Sequence, residues 1–180
     1  YHGGLRAYTY DGDTFVNTAH TDDGPSAWVA WDVAVGPDNT VFLANNYNGL
    51  RAYTCDGASF TNAGQISDGG IAYGVTVDSQ GTIFLANFSD GLRAYSYDGA
   101  TFTNTAHMDS GGVAFDVAVG LDGTVFLANG FDGLRAFTYN GSSFTNTAHI
   151  KEVTDALKVT VNEQGTVFVT YGNDGTRAYT

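Results

Sequence analysis

One string of residues returns along this chain at a fixed interval. Gly4-Leu5-Arg6-Ala7-Tyr8 is followed by Gly49-Leu50-Arg51-Ala52-Tyr53, Gly91-Leu92-Arg93-Ala94-Tyr95, Gly133-Leu134-Arg135-Ala136-Phe137 and Gly175-Thr176-Arg177-Ala178-Tyr179. The intervals are 45, 42, 42 and 42 residues. Other columns keep the register: Val33, Val75, Val117 and Val159; Phe42, Phe84, Phe126 and Phe168; Phe60, Phe102 and Phe144, with Phe15 one 45-residue step earlier. The three extra residues fall in Thr21-Asp22-Asp23-Gly24-Pro25-Ser26-Ala27, a loop insertion that leaves the repeat intact. Such self-similarity restricts the chain to folds that stack one supersecondary unit many times.

Each repeat reads as four short strands. The first alternates, as in Asp32-Val33-Ala34-Val35, and the second is Thr40-Val41-Phe42-Leu43-Ala44-Asn45. The third is Leu-Arg-Ala-Tyr-Thr-Tyr, and the fourth is typified by Ser59-Phe60-Thr61-Asn62. β-Branched and aromatic residues dominate, and no helical period is present. Asp11-Gly12, Asp56-Gly57, Asp98-Gly99 and Asn140-Gly141 join strands three and four, because these pairs tolerate the positive φ of tight hairpins. Gly81, Gly123 and Gly165 mark the turn between strands one and two, with Asn39 in the first copy. Four antiparallel strands per 42 residues predict an all-β fold, a β-propeller of about four blades.

The blades resemble those of NHL-repeat and LVIVD-repeat propellers over essentially the whole chain. The matching strings are Asp116-Val117-Ala118-Val119-Gly120, Thr124-Val125-Phe126-Leu127-Ala128-Asn129 and Asp132-Gly133-Leu134-Arg135-Ala136-Phe137. The resemblance implies an all-β ring with a ligand or partner surface. It implies no activity, because this fold hosts many.

The register divides a single domain, 1–180, into three parts. Residues 1–30 hold strands three and four of a split blade, 31–146 hold three full blades, and 147–180 hold strands one to three of the last. Strands one and two at the end could join strands three and four from the start, which removes the exposed edges. One third strand is then surplus. A closed four-blade ring and part of a larger ring are both compatible with this count. Tyr1-His2-Gly3-Gly4 is already repeat sequence, without an initiator Met or a leader pattern, and the expectation is a processed or excerpted product.

Charge narrows the partners. Seven Lys and Arg against 19 Asp and Glu leave a net charge of −12, which argues against nucleic acid and anionic membrane surfaces. No apolar run is long enough to insert in a bilayer. One cysteine excludes an internal disulfide framework.

The candidate residues weigh as follows. Arg6, Arg51, Arg93, Arg135 and Arg177 could ring an anion, but recurrence in every repeat favours structural pairing with aspartates such as Asp90 and Asp132. Asp32 and Asp116 share a column with Gly74 and Lys158, and Asp22, Asp23, Asp68 and Asp109 lie in the loops before strand one. These oxygens could take Ca²⁺, yet no Asp-x-Asp-x-Asp-Gly loop exists, and turn capping accounts for them. His20, His107 and His149 end outer strands, too far apart to share a zinc ion. Cys55 replaces a Tyr column and has no activating neighbour in sequence. Asn87-Phe88-Ser89 and Asn140-Gly141-Ser142 match the short glycosylation pattern.

Aromatic residues form the most informative group. Trp28, Trp31, Tyr73 and Phe115 come from the loops before strand one, and Tyr47, Phe88 and Phe131 from the turns between strands two and three. In a propeller both loop types open on one face. Aromatics beside Asn and Asp suit sugar rings or a partner's hot spots, while wedging between blades is the structural alternative. No catalytic constellation stands out. The expectation is therefore a non-enzymatic binding or scaffold module, extracellular or periplasmic, that recognises a protein or a glycan and needs no cofactor. Two alternatives remain open: a Ca²⁺-dependent lactonase or hydrolase, and a structural protein that self-associates through its end strands.

Overall fold

The computed structural model describes residues 4–22 and 29–180. Every regular element among the described residues is a strand. β1 (Gly4–Tyr10) and β2 (Phe15–Asp22) form a pair. The first blade comprises β3 (Asp32–Val35), β4 (Val41–Ala44), β5 (Leu50–Cys55) and β6 (Phe60–Ile66). The second comprises β7 (Gly74–Val77), β8 (Ile83–Ala86), β9 (Leu92–Tyr97) and β10 (Phe102–Met108). The third comprises β11 (Asp116–Val119), β12 (Val125–Ala128), β13 (Leu134–Tyr139) and β14 (Phe144–Ile150). The fourth has β15 (Ala156–Val161), β16 (Val167–Tyr171) and β17 (Gly175–Tyr179). All pairings are antiparallel between sequence neighbours, the meander that the repeat predicts.

Turn chemistry sets the register. Asp98 Oδ1 accepts the backbone N–H groups of Ala100 at 3.0 Å and Thr101 at 2.7 Å. These bonds hold its carboxyl below the usual range, Thr101 contributing most. Asn39, Gly81, Gly123 and Gly165 share a positive φ of 64°, 84°, 82° and 80°, so one backbone turn is built from two residue types that tolerate it. The outer strands are longer than the Ser-Phe-Thr-Asn core and carry a repeated bulge. Thr18, Ala63, Thr105 and Thr147 are skipped in the pairing with β1, β5, β9 and β13. The extra residue increases the local twist of the outer pair.

Period-two alternation gives each sheet two apolar faces, and successive blades press them together. Phe42, Ala44 and Leu50 of the first blade pack on Val75, Ile83, Leu85 and Tyr95 of the second. Phe84, Ala86 and Leu92 meet Val117, Val125, Leu127 and Phe137. Ala128 and Leu134 meet Val159, Val167, Val169 and Tyr171. Each fully buried Val, Leu, Ile or Phe contributes about 1.5–3 kcal/mol, so each junction is a small core of its own. The β1–β2 pair packs Leu5 on Leu43 and Tyr53, forming an additional sheet beside the first blade.

The two ends of the row differ from its middle. Among the described residues β1 pairs with β2, and the outer neighbour of β16 is β17. The shared blade that would join both ends is therefore not formed in this structure. Val33 is 49% exposed, whereas its counterparts Val75 and Val117 are each 4% exposed.

Candidate functional site

The turns after β4, β8 and β12 each reach sideways to the following blade. Asn46 exchanges backbone hydrogen bonds with Ala72 at 3.2 and 3.0 Å, Phe88 with Ala114 at 3.1 and 3.0 Å, and Gly130 with Ala156 at 3.1 and 3.0 Å. The bridging residue is left-handed each time, with φ of 53°, 55° and 58°. Asn and Gly adopt this region readily, whereas a bulky residue there costs about 1–2 kcal/mol. Phe88 is thus held by its surroundings. In sequence the alanine column shows only as small residues before Tyr73, Phe115 and Leu157, which carries no sign of its bridging role.

These bridges bring the two loop types of one face together. Trp31 and Tyr73 stack at 4.7 Å with an interplanar angle of 15°, and Tyr73 and Phe88 at 5.3 Å and 19°. Phe115 meets Tyr73 edge-on at 5.6 Å and Phe88 at 5.9 Å. Four of the sequence candidates therefore form one aromatic platform that crosses three blades. Trp31 is 44% exposed at its end, while Tyr73, Phe88 and Phe115 are half-buried. Tyr47 and Phe131 stand exposed on the turns of the same face. Trp28 lies outside the described residues. The fourth blade places Leu157 in the column of Trp31, Tyr73 and Phe115.

One residue further on, the column holds Asp32, Gly74, Asp116 and Lys158 on the inner strands. Asp32 Oδ2 accepts the N–H of Val75 at 2.9 Å, and Asp116 Oδ2 that of Val159 at 2.9 Å. The carboxylate is thus a strut from one inner strand to the next. Asp116 also faces Lys158 Nζ at 3.5 Å. Burial pushes the Asp116 carboxyl up, against the Val159 bond and the Lys158 charge, and the Asp32 charge pushes the same way as burial. A cation here would need several free oxygens. Asp32 Oδ1 also accepts the N–H of Val33 at 2.9 Å and Asp116 Oδ1 faces Lys158, so both oxygens of each carboxylate have partners, and among the described residues no three His, Cys, Asp or Glu converge on a metal-sized site.

In its last three copies the arginine column pairs with carboxylates, as its recurrence implies. Arg93 Nε donates to Asp90 Oδ2 at 2.5 Å, and Arg135 Nε to Asp132 Oδ2 at 2.5 Å. Arg177 pairs with Asp174 and, at 2.6 Å, with Glu152. Burial raises the Asp90 and Asp132 carboxyls, but the bonds from Arg93 and Asn87, and from Arg135 and Asn129, outweigh it and hold both below the usual range. Asp68 gathers Tyr95 Oη at 3.0 Å, Asn104 Nδ2 at 3.3 Å and Arg93 at 3.4 Å. Glu152, two repeats on in the same column, takes Arg177 and, at 3.2 Å, Tyr179 Oη in the same way. His107 and His149 bond the backbone carbonyls of Asp90 at 2.7 Å and Asp132 at 2.6 Å, so they clamp turns. Asn87 is buried, and its amide serves Gly69 and Asp90, each at 2.7 Å. Its glycosylation pattern is therefore structural. Cys55 is exposed.

No family model matches the chain, and no curated protein matches it. Solved structures do. A protein from Lactobacillus plantarum superimposes with a TM-score of 0.79 at 18% identity, over 98% of this chain and 60% of that one. Virginiamycin B lyase from Staphylococcus aureus gives 0.71 at 13% identity, over 98% and 62%. A protein of unknown function from Bacteroides caccae gives 0.70 at 12% identity, over 99% and 67%. The chain is a β-propeller repeat protein. It spans roughly three fifths to two thirds of the length of these propellers, and at such identities the likeness concerns the fold.

Proposed function

We propose that this propeller is a non-catalytic recognition module that binds a glycan through its loop face, in an extracellular or periplasmic setting. The observation that carries the reading is the platform of Trp31, Tyr73, Phe88 and Phe115. Flat aromatic rings stack on the apolar faces of sugar rings, and neighbouring polar groups take the hydroxyls. Asn46, Asn48 and Ser89 border that face and carry no net charge, which suits a neutral ligand. The strain at Phe88 favours the same reading, because strained backbone gathers at binding sites.

A glycan array followed by titration tests it. Trp28 and Trp31 are the only tryptophans, so binding at the platform changes the intrinsic fluorescence. Trp31→Ala is expected to weaken binding at least about tenfold, the share of a hot-spot aromatic, with the unfolding midpoint little changed. Silence on the array and in pull-downs from an envelope fraction would sink the proposal.

A second reading, an enzyme, is favoured only by the lyase among the structural neighbours. Titration with Ca²⁺ separates the two. An ion-dependent hydrolytic or lyase activity that Asp32→Asn abolishes would replace the recognition module.

A further inference from the structure

Asn-Gly occurs three times in this chain, as Asn48-Gly49, Asn129-Gly130 and Asn140-Gly141. With no Cβ on the second residue, its backbone nitrogen can close on the asparagine Cγ, provided that nitrogen is free. Gly49 N–H donates to the Asn46 carbonyl at 3.1 Å, and Gly130 N–H to that of Ala156 at 3.1 Å. Asn129 is fully buried, and its amide donates to the Ser110 carbonyl and to Asp132. Gly49 is buried beside a half-buried Asn48. Asn140 and Gly141 instead stand exposed on the hairpin between β13 and β14, and among the described residues nothing takes the Gly141 N–H. A Cβ at Gly141 would meet nothing within 4 Å, whereas at Gly49 it would lie 2.2 Å from the Ile66 carbonyl oxygen.

The Asn140 side chain is held for attack. Its Oδ1 accepts the N–H groups of Ser142 at 3.0 Å and Ser143 at 2.9 Å, and their hydroxyls at 3.2 and 3.1 Å. These four donors converge on the oxygen that turns negative when a nucleophile adds to Cγ, the arrangement of an oxyanion hole. The sibling turns carry aspartate at this position, as Asp11, Asp56 and Asp98. Asp56 divides its bonds between two oxygens. Oδ1 takes the N–H groups of Ala58 and Ser59 at 2.9 and 2.7 Å, and Oδ2 takes the Ser59 hydroxyl at 3.0 Å. Asp11 divides its bonds in the same way. An amide nitrogen cannot accept, so Asn140 gathers every donor on one oxygen. The turn suits the carboxylate that Asn140 lacks.

We propose that Asn140 is a self-modifying site, which loses ammonia to its own Gly141 nitrogen in the folded chain. The Gly141 nitrogen gives its proton to solvent and adds to Cγ. The Cγ–Nδ2 bond breaks, and ammonia leaves with a proton from water. The succinimide so formed takes up one water. Addition at Cγ breaks the new N–Cγ bond and leaves aspartate, while addition at the Asn140 main-chain carbonyl leaves isoaspartate. No oxidant or reductant takes part. Aspartate reproduces the Asp56 turn and offers a second oxygen to the Ser143 hydroxyl. Isoaspartate adds a methylene to the main chain beside the paired Tyr139 and Phe144 and slackens the hairpin. Either product makes the chain one charge more negative and erases the Asn140-Gly141-Ser142 glycosylation pattern. Asn48 and Asn129 are spared while the fold holds their glycine nitrogens.

Ageing the full chain in mildly alkaline buffer, followed by peptide mapping in a mass spectrometer, tests the proposal. Asn140 should convert at least about tenfold faster than Asn48 and Asn129, whose glycine hydrogen bonds must first open. In urea all three should convert at similar rates, because only the fold separates them. Ser142→Ala with Ser143→Ala removes two donors from Oδ1, and the first change copies Ala58 and Ala100 of the sibling turns. Conversion of Asn140 should then slow roughly threefold or more. Asn140→Asp should co-elute with the aged aspartate form on anion exchange, and its urea midpoint at neutral pH should be no lower than that of the fresh chain. An Asn140 that stays intact in the folded chain while it converts in urea overturns the proposal. So does a folded chain in which Asn48 or Asn129 keeps pace with it, or a double-alanine variant that converts at the parental rate.

Discussion

The carboxylate of Asp116 accepts the backbone N–H of Val159 at 2.9 Å, across the boundary between the third and fourth blades. Asp32 makes the same bond to Val75 at 2.9 Å, and between them Gly74 holds the column. A Cβ on Gly74 would stand 2.7 Å from Asp116 Oδ1. Two blades out of four thus carry the strut, and the blade between them makes room for it.

Asp116 is 6% exposed, so its removal strands a buried N–H. Asp116→Ala should cost about 1–3 kcal/mol in urea unfolding, the penalty of an unpaired buried donor. Asp116→Asn keeps the acceptor and should lie within about 1 kcal/mol of the parent on the same grounds. The pH dependence carries the opposite sign from most carboxylates. The carboxyl is raised in the fold, so its contribution falls as pH rises from the ordinary aspartate value through the raised one. Asp116→Asn should abolish that fall.

Asp90 and Asp132 behave conventionally. Both are held below the usual range, so their stabilisation is complete at neutral pH and is lost as pH drops below the ordinary value through the lowered one. The Arg93 side chain is 13% exposed. Arg93→Ala should cost about 1.5–3 kcal/mol, typical of hydrogen bonds to charged groups, and should flatten the acid limb of the stability profile. Urea midpoints measured across the acid range check both outcomes.

Phe88 carries its left-handed φ of 55° against its own preference. Phe88→Gly and Phe88→Ala both delete the ring. Glycine should nevertheless be the more stable variant, by about 1 kcal/mol, because only alanine retains the Cβ penalty. Equal midpoints for the two would show that the bridge to Ala114 relaxes.

Gly91 and Gly99 share a positive φ, 87° and 97°, but differ in surroundings. A Cβ at Gly91 would lie 2.2 Å from the Met108 carbonyl oxygen, while at Gly99 it meets nothing within 4 Å. Gly99→Ala should cost about 1–2 kcal/mol, the backbone term alone. Gly91→Ala adds overpacking of about 1–3 kcal/mol. Thermal unfolding of the two variants separates these contributions.

Strand order, the fold class, the Asn39 turn and the pairing of arginines with Asp90 and Asp132 were readable from spacing alone, because a repeat writes each contact several times. The Asp68 cluster was not, since its column changes residue type from copy to copy: Glu152, two repeats on, takes Arg177 and Tyr179 as Asp68 takes Arg93 and Tyr95, but Ser110 stands between them. Bridging by Ala72, Ala114 and Ala156 was hidden for another reason. Their role belongs to the backbone, and a backbone hydrogen bond leaves almost no mark on side-chain identity. The aromatic platform lies between these cases. The face was legible, but which rings would touch depended on the bridge at Phe88.

Those bridges have an evolutionary consequence. The second and third blades each carry a turn that reaches forward and an alanine that is reached from behind. A tandem duplication of either unit therefore inserts a blade with both of its seams already matched, and a deletion heals in the same way. Blade number can change by unequal recombination between near-identical copies, without compensating mutations elsewhere. The residues exposed on the loops are free to diverge from one copy to the next.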